Sequence, residues 1–315
     1  MNTSPRRVNG PPDLSVSFAG LRLKNPVIAA SGTFGYGIEY EDIVSLQKLG
    51  GFVVKGLSRE PMPGNQPPRL FETSAGMLNS IGLQNIGARA FVDEKLPLLN
   101  KKKNIVVIAN VFGYTREDYE AVIHVLNQGE GIAAYELNVS CPNTTRGGMV
   151  IGTDPVLLEE VVAAAKSASR RPLIVKLSPN VTDVPLMARV AENAGADAIS
   201  LVNTFVAMAI DAETRRPRIS RTFGGLSGPA IKPIALRMVH EASHAVDIPV
   251  IGMGGISTAV DVVEFMLAGA AAVEIGTASF WDPCATEKIV DALEGWCLEH
   301  RVPKITELIG GLRTE

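Results

Sequence analysis

Residues 173–202 read LIVKLSPNVTDVPLMARVAENAGADAISLV, and this stretch decides the fold. A short apolar run, Leu173–Lys176, leads through a polar loop to a helical period over Val184–Asn193, and a second apolar run, Ala198–Val202, closes the unit. Apolar runs without polar alternation suit strands of a parallel sheet covered on both faces. The same unit recurs in both directions. Upstream lie Pro26–Ala29, Gly51–Lys55, Ile105–Asn110 and Ala134–Asn138, and downstream Val250–Gly252 and Ala272–Ile275. Helical periods at Tyr40–Leu49, Ala88–Asn100, Glu117–Asn127, Pro155–Ser169, Ile231–Ala245, Ala259–Ala268 and Thr286–His300 complete the alternation. Eight strands and eight helices in strict order predict an α/β fold, a (β/α)8 TIM barrel. An open doubly wound sheet would favour a G-x-G-x-x-G first turn, and the first junction, SGTFGYG at residues 31–37, has a different spacing.

Around this core the chain reads simply. Residues 1–13 are expected to be a flexible polar tail, and residues 14–315 one barrel domain opened by a hairpin, LSVSF and LRLK around Ala19-Gly20. Two strand-to-helix connections are long, Gly56–Gln84 and Asn203–Gly228, as expected of loops that build or cover a site. The net charge of −3 and the scattered lysines and arginines argue against nucleic acid or an anionic membrane as partner. No stretch approaches the ~20 apolar residues of a membrane span, and MNTSPRRVNGPPDL lacks a signal-peptide core, so a cytoplasmic location is expected. Three cysteines, Cys141, Cys284 and Cys297, make no disulfide framework and are too few for an iron–sulfur cluster.

In such barrels the chemistry gathers where strands end and the following loops begin. Those positions hold Ser31, Lys55 and Gly56, Asn110, Asn138, Lys176, and Val202-Asn203-Thr204, and the fourth strand continues as VSCPN with Cys141 and Asn143. The last two strands end in glycine instead, GMGG at residues 252–255 and Gly276-Thr277. Glycine lets backbone N–H groups approach an anion, so a phosphorylated substrate or cofactor is expected there. Cys141 lies on a Pro- and Asn-rich rim loop beside lysines, where it can serve as base or nucleophile. With an unperturbed pKa near ~8.5 it would make activity rise toward alkaline pH. Cys284 and Cys297 fit a bland reading as small apolar side chains near the last helix. His240-Glu-Ala-Ser-His244 matches the H-E-x-x-H pattern of zinc peptidases. It falls on the helix before strand seven, opposite an apolar face through Ile231, Ile234, Ala235, Met238 and Ala242, without a further ligand motif, so no metal is expected.

Nine segments, in order, carry a resemblance: NPVIAASGTFGYG, VVKG, PRLFETSAGMLNSIGLQN, ELNVSCPN, VKLSPNVTD, LVNT, GGLSGPAIKP, PVIGMGGI and AVEIGTASF. From about Leu14 to Pro283 the chain resembles the class 1 dihydroorotate dehydrogenases, and most of all subclass 1B, the NAD-linked form. The resemblance implies FMN, one per chain, held by Ser31, Lys55, Gly56, Asn110, Asn138, Lys176, Val202 and Gly228, with its phosphate at Gly254, Gly255, Gly276 and Thr277. It implies dihydroorotate held by Lys55, Asn79, Ser80, Ile81, Gly82, Leu83, Asn138, Asn143, Asn203 and Thr204. Cys141 would be the general base for oxidation of dihydroorotate to orotate in pyrimidine biosynthesis, with hydride leaving for the flavin. It further implies a homodimer core joined to a partner subunit carrying FAD and an iron–sulfur cluster, a heterotetramer that passes electrons to NAD. The alternatives are a 1A-like homodimer that reduces fumarate, a flavin-free phosphate-binding barrel acting as lyase or isomerase through Lys55 or Lys176, and a non-catalytic binding subunit.

Overall fold

A computed structural model describes residues 10–139 and 151–314. Eight parallel strands close into a barrel: β1 (Val27–Ala29), β2 (Gly51–Val53), β3 (Val107–Val111), β4 (Ile132–Asn138), β5 (Leu173–Lys176), β6 (Ala198–Leu201), β7 (Val250–Met253) and β8 (Ala272–Ile275). Each pairs with its sequence neighbours, and β8 pairs with β1 through Val273↔Val27 to close the ring. The predicted barrel is therefore present, with all eight strands within two residues of their expected bounds. Every residue of these strands is buried except Ala133, which is half-buried, because helices cover the outside and side chains fill the inside. The hairpin is formed by Val16–Phe18 and Leu21–Leu23, and Ala19 and Gly20 both take positive φ, 46° and 75°, as a two-residue turn requires.

Helices Arg116–Leu126, Pro155–Ala168, Val184–Asn193, Lys232–Ser243, Ala259–Leu267 and Ala285–His300 form the outer ring. Their starts are chemically marked. Thr115 and Thr258 each form a capping box with an aspartate three residues on, and Asp154 and Asp183 cap the two helices that begin Pro-Val and Val-Pro. Two expected helices differ. Residues 40–49 make successive turns after a short 3-10 turn at Ile38–Tyr40, rather than an α-helix. The β-branched pair Ile43-Val44 disfavours helix, and the Ser45 N–H donates to Glu287 Oε2 at 3.0 Å across to the last helix instead of to a carbonyl one turn back. Residues 88–100 are helical but widen to a π-turn at Phe91–Lys95, just before Pro97, which lacks an N–H and cannot sit against a regular preceding turn. On helix Lys232–Ser243 the buried face is Ala235, Met238, Val239 and Ala242, whereas Ile234, expected on it, is exposed.

The two long connections meet each other above the C-terminal ends of the barrel strands. Leu70–Thr73 and Gly76–Asn79 from the first pair with Gly224–Ser227 and Phe205–Ala207 from the second, in one antiparallel four-stranded sheet. The chain is glycine where these strands crowd: a Cβ on Gly225 would lie 2.1 Å from Thr204 Oγ1, and one on Gly76 would lie 2.1 Å from the Ser227 carbonyl oxygen. No helix among the described residues is long and apolar enough to cross a membrane.

Candidate active site

A cavity of about 1230 Å3, counted out to its open mouth, lies between the barrel's C-terminal rim and this covering sheet. Each wall comes from a different strand end. β1 leads to Ser31, β2 to Lys55 and Gly56, β4 ends in Asn138, β5 in Lys176, and β6 runs into Val202, Asn203 and Thr204. The covering sheet adds Asn79 and, just beyond its strands, Ile81, Gly82, Leu83 and Gly228. Gly254 and Gly255 follow β7, and Gly276 and Thr277 follow β8. Residues from 31 to 277 are thus gathered on one cavity.

Three sets of expected residues stand apart. Asn110 is fully buried below the wall; a Cβ on Gly56 would sit 2.7 Å from its Oδ1, and its Nδ2 donates to Glu136 Oε1 at 2.6 Å. Ser80 is buried behind the wall, where its backbone N–H donates to the Arg69 carbonyl oxygen. Cys141 and Asn143 lie outside the described residues.

The glycine end is built for close approach. Gly254, Gly255 and Gly228 have φ of 127°, 77° and 97°, a region that favours glycine. A Cβ on Gly255 would lie 2.7 Å from the Gly228 carbonyl oxygen, so the turn after β7 and the end of the covering sheet touch backbone to backbone. Gly276 differs: its would-be Cβ would meet Ala30 and Thr33 at 3.6 Å, an ordinary contact distance, so crowding does not demand glycine there. Beside it Thr277 Oγ1 donates to Ser227 Oγ at 2.7 Å, which ties β8 to the covering sheet.

Beneath the cavity lies a charge cluster that the rim-by-rim reading of the sequence did not find. Lys176 Nζ sits 3.6 Å from Glu136 Oε1 and 3.5 Å from Glu274 Oε2, and all three side chains are almost fully buried. Glu136 also accepts from Ser200 Oγ at 2.8 Å as well as from Asn110. Burial alone would raise the Glu136 carboxyl, but the Lys176 ammonium and these donors outweigh it and hold it below the usual carboxylate range. Glu274 lies well above that range, because burial and the Glu136 charge both oppose its ionisation. Burial works against the Lys176 charge, yet the two carboxyl groups keep its pKa above the ordinary lysine value. A signal for the cluster was present: Glu136 and Glu274 are single carboxylates inside otherwise apolar barrel strands, where charge is rare unless paired. Ser227, Met253, Phe280 and Trp281 also line the cavity and were missed, because nothing in their local sequence distinguishes them from ordinary strand or helix residues.

Other groups singled out from the sequence lie elsewhere. The His240 and His244 rings pack with centroids 4.2 Å apart at the end of their helix, and His244 Nδ1 lies 2.8 Å from the His240 carbonyl oxygen. Among the described residues no group of three or more His, Cys, Asp or Glu could hold a metal ion. Cys297 is buried in the core and its thiol is pushed up to about 11 by that burial, which leaves it unreactive.

The model of one protein family, "Dihydroorotate dehydrogenase", matches residues 13–296, a span that takes in every barrel strand and every wall of the cavity. The chain belongs to the dihydroorotate dehydrogenase family. Among its relatives, the dihydroorotate dehydrogenase B (NAD(+)) catalytic subunit of Pelobacter propionicus is 54% identical, over 96% of this chain and 99% of its own length. The subunit of the same name from Geotalea uraniireducens is 53% identical over 97% of this chain and all of its own. A protein of Solibacter usitatus, named as a dihydroorotate dehydrogenase A (fumarate), is 62% identical over 96% of this chain and 99% of its own length. The family is one of oxidoreductases, and the shared length spans barrel, covering sheet and cavity alike.

Proposed function

We propose that this chain is the FMN-containing catalytic subunit of an NAD-linked dihydroorotate dehydrogenase, oxidising dihydroorotate to orotate in pyrimidine biosynthesis. The observation that carries the reading is the cavity's lining, glycine turns after β7 and β8 suited to a phosphate together with Lys176 suited to an electron-rich ring, within a chain of this family. FMN fits the residues present. Gly254, Gly255, Gly276 and Thr277 line the cavity, where they can offer backbone N–H groups to the phosphate. Lys176 would stand by the flavin's pyrimidine edge, and Ser31, Gly56, Asn138, Val202 and Gly228 would line the rest, with Asn110 acting from behind Gly56 through Glu136. Bound there, FMN would supply the hydride acceptor.

The chain's own residues would do the rest. Lys55 can pair with the substrate carboxylate, while Asn79, Asn138, Asn203 and Thr204 can read the donors and acceptors of the dihydropyrimidine ring. Ser80, Ile81, Gly82 and Leu83 would shape the substrate side of the covering loop, and Asn143 would add a further contact. Cys141 would take the proton from carbon 5 as hydride leaves carbon 6. The sheet formed by the two long connections would shield the reacting atoms from water, strengthening each electrostatic contact inside.

The relatives named as NAD(+) catalytic subunits support an electron-transfer partner for this chain, and we propose that it carries FAD and an iron–sulfur cluster, in a heterotetramer built on a dimer of this chain. Reduction of fumarate by a homodimer is the second reading, and the Solibacter relative favours it. Purified chain should be yellow and should bleach when mixed anaerobically with dihydroorotate. A colourless protein unable to take up FMN would refute the assignment. Reoxidation by fumarate with the isolated chain, or by NAD only with an added FAD and iron–sulfur subunit, separates the two readings. Replacement Cys141→Ser should slow bleaching strongly at neutral pH and leave FMN bound; unchanged bleaching would remove Cys141 from its role.

A further inference from the structure

Two buried carboxyl groups share one buried lysine beneath the cavity, and the hydrogen bonds divide them unequally. Glu136 accepts from Asn110 and Ser200 and faces Lys176, so both of its oxygens are satisfied. Glu274 has the 3.5 Å contact to Lys176 through Oε2, no N–H or hydroxyl reaches its buried Oε1, and its carboxyl is hydrogen-bonded to that of Glu136. An unsolvated carboxylate with an oxygen that no such donor reaches is costly, whereas a carboxylic acid needs less from its surroundings. One proton therefore belongs to the pair, and it resides on Glu274. With Glu136 ionised and Lys176 charged, the cluster is neutral.

Unlike Glu136, Glu274 reaches the cavity wall. Lys55, Lys176 and Glu274 are the only charged side chains among the described residues that line it. The strands beside β8 are β7 (Val250–Met253) and β1 (Val27–Ala29), and neither has a titratable side chain. Across the barrel the facing groups are Glu136 on β4 and Lys176 on β5, with the neutral Asn110 on β3 and Ser200 on β6 behind Glu136. Nothing else on these elements can compensate a charge gained or lost at Glu274.

We propose that Glu274 is a positioning residue which holds the one exchangeable proton beneath the cavity and thereby sets the charge that Lys176 presents to a bound flavin. The inference rests on the flavin reading above. Reduction of a bound flavin by hydride would bring it two electrons and one proton, and so would add one negative charge beside Lys176. That charge favours the protonated acid, so wherever Glu274 is ionised before reduction it takes up one further proton from solvent. Reduction is then linked to protonation of a residue that touches no reacting atom of the substrate.

The test is the midpoint potential of bound FMN as a function of pH, without substrate. In the wild type, one pH interval should show a steeper fall, by an extra tenfold per pH unit in the redox equilibrium, about 30 mV for a two-electron couple. In Glu274→Gln, which keeps the shape and cannot ionise, that interval should vanish. Parallel curves for the two proteins would overturn the proposal. Infrared titration of the cofactor-free protein supplies a second readout. A buried carboxylic acid C=O band should be present in the wild type and absent in Glu274→Gln. It should also be absent in Glu136→Gln, where Glu274 is left as the sole carboxylate for Lys176 and ionises. Persistence of the band in Glu274→Gln would overturn the proposal as well. Failure of wild-type protein to bind FMN would refute the flavin reading instead, and the infrared arm would still decide where the proton lies.

Discussion

Replacing Lys176 by methionine removes the one cation, among the described residues, that pairs with the two buried carboxyl groups, and keeps most of the side chain's length. Breaking a buried ion pair by deleting one partner costs about 3–5 kcal/mol. The loss has a ceiling, because Glu136 can escape by taking a proton. Protonating a carboxyl with an unfolded-state pKa near ~4.3 at neutral pH costs about 3.5 kcal/mol. The two routes agree, and for a chain of this length the loss corresponds to a fall in melting temperature of about 5 °C. Its pH dependence follows from the sign of each shift. In the wild type Glu136 titrates below its unfolded value, so its contribution is present above that value and is lost as pH falls. In the variant Glu136 would titrate above its unfolded value, and stability would fall as pH rises. Both effects close the gap between the proteins in acid and widen it toward neutrality. Calorimetric melting of the cofactor-free proteins at about pH 5 and about pH 8 should therefore show a small difference at the first and a large one at the second. The double variant Lys176→Met/Glu136→Gln, which removes the orphaned charge, should recover most of the loss. An equal loss at both pH values, or no recovery, would refute the charge-cluster reasoning.

Two glycine substitutions should part company. At Gly276, a Cβ would meet Ala30 and Thr33 at the ordinary distance of 3.6 Å, so Gly276→Ala should melt like the wild type and keep most of its FMN affinity in a fluorescence titration. At Gly255, positive φ and the Gly228 carbonyl oxygen 2.7 Å away make Gly255→Ala lose about 1–3 kcal/mol of stability together with FMN binding. Tyr119 OH donates to the carbonyl oxygen of Asn138 at 2.9 Å, at the end of β4 and three residues before Cys141. Tyr119→Phe leaves that buried acceptor short of a donor, so a stability loss of about 1–2 kcal/mol in urea unfolding is expected, with slower dihydroorotate-driven bleaching.

The barrel was legible because its signal is local and repeated. Runs such as Leu173–Lys176 and Ala272–Ile275 are apolar because both faces of the strand are covered, and they coincide with the observed strands to the residue. Residues 40–49 were not legible, because the partner that breaks their helix, Glu287, lies at the far end of the chain. The rim positions were readable for a related reason: in a parallel barrel every strand ends on the same face, so order along the chain gives place on the rim.

By itself the sequence determined which side chains stand at that rim and that the last two strands end in glycine, since these depend only on strand order and residue type. Tertiary structure decided what those side chains meet. The two long connections share a sheet because Gly76 lets backbones touch and Gly225 leaves room for the Thr204 side chain, and no local pattern pairs residue 79 with residue 225. Likewise Glu136, Lys176 and Glu274 lie on three strands, spread over more than a third of the chain, and only closure of the barrel brings β8 opposite β4 and β5. Charge interaction depends on distance and on the medium between, and both are set by the closed barrel, which excludes water from the cluster.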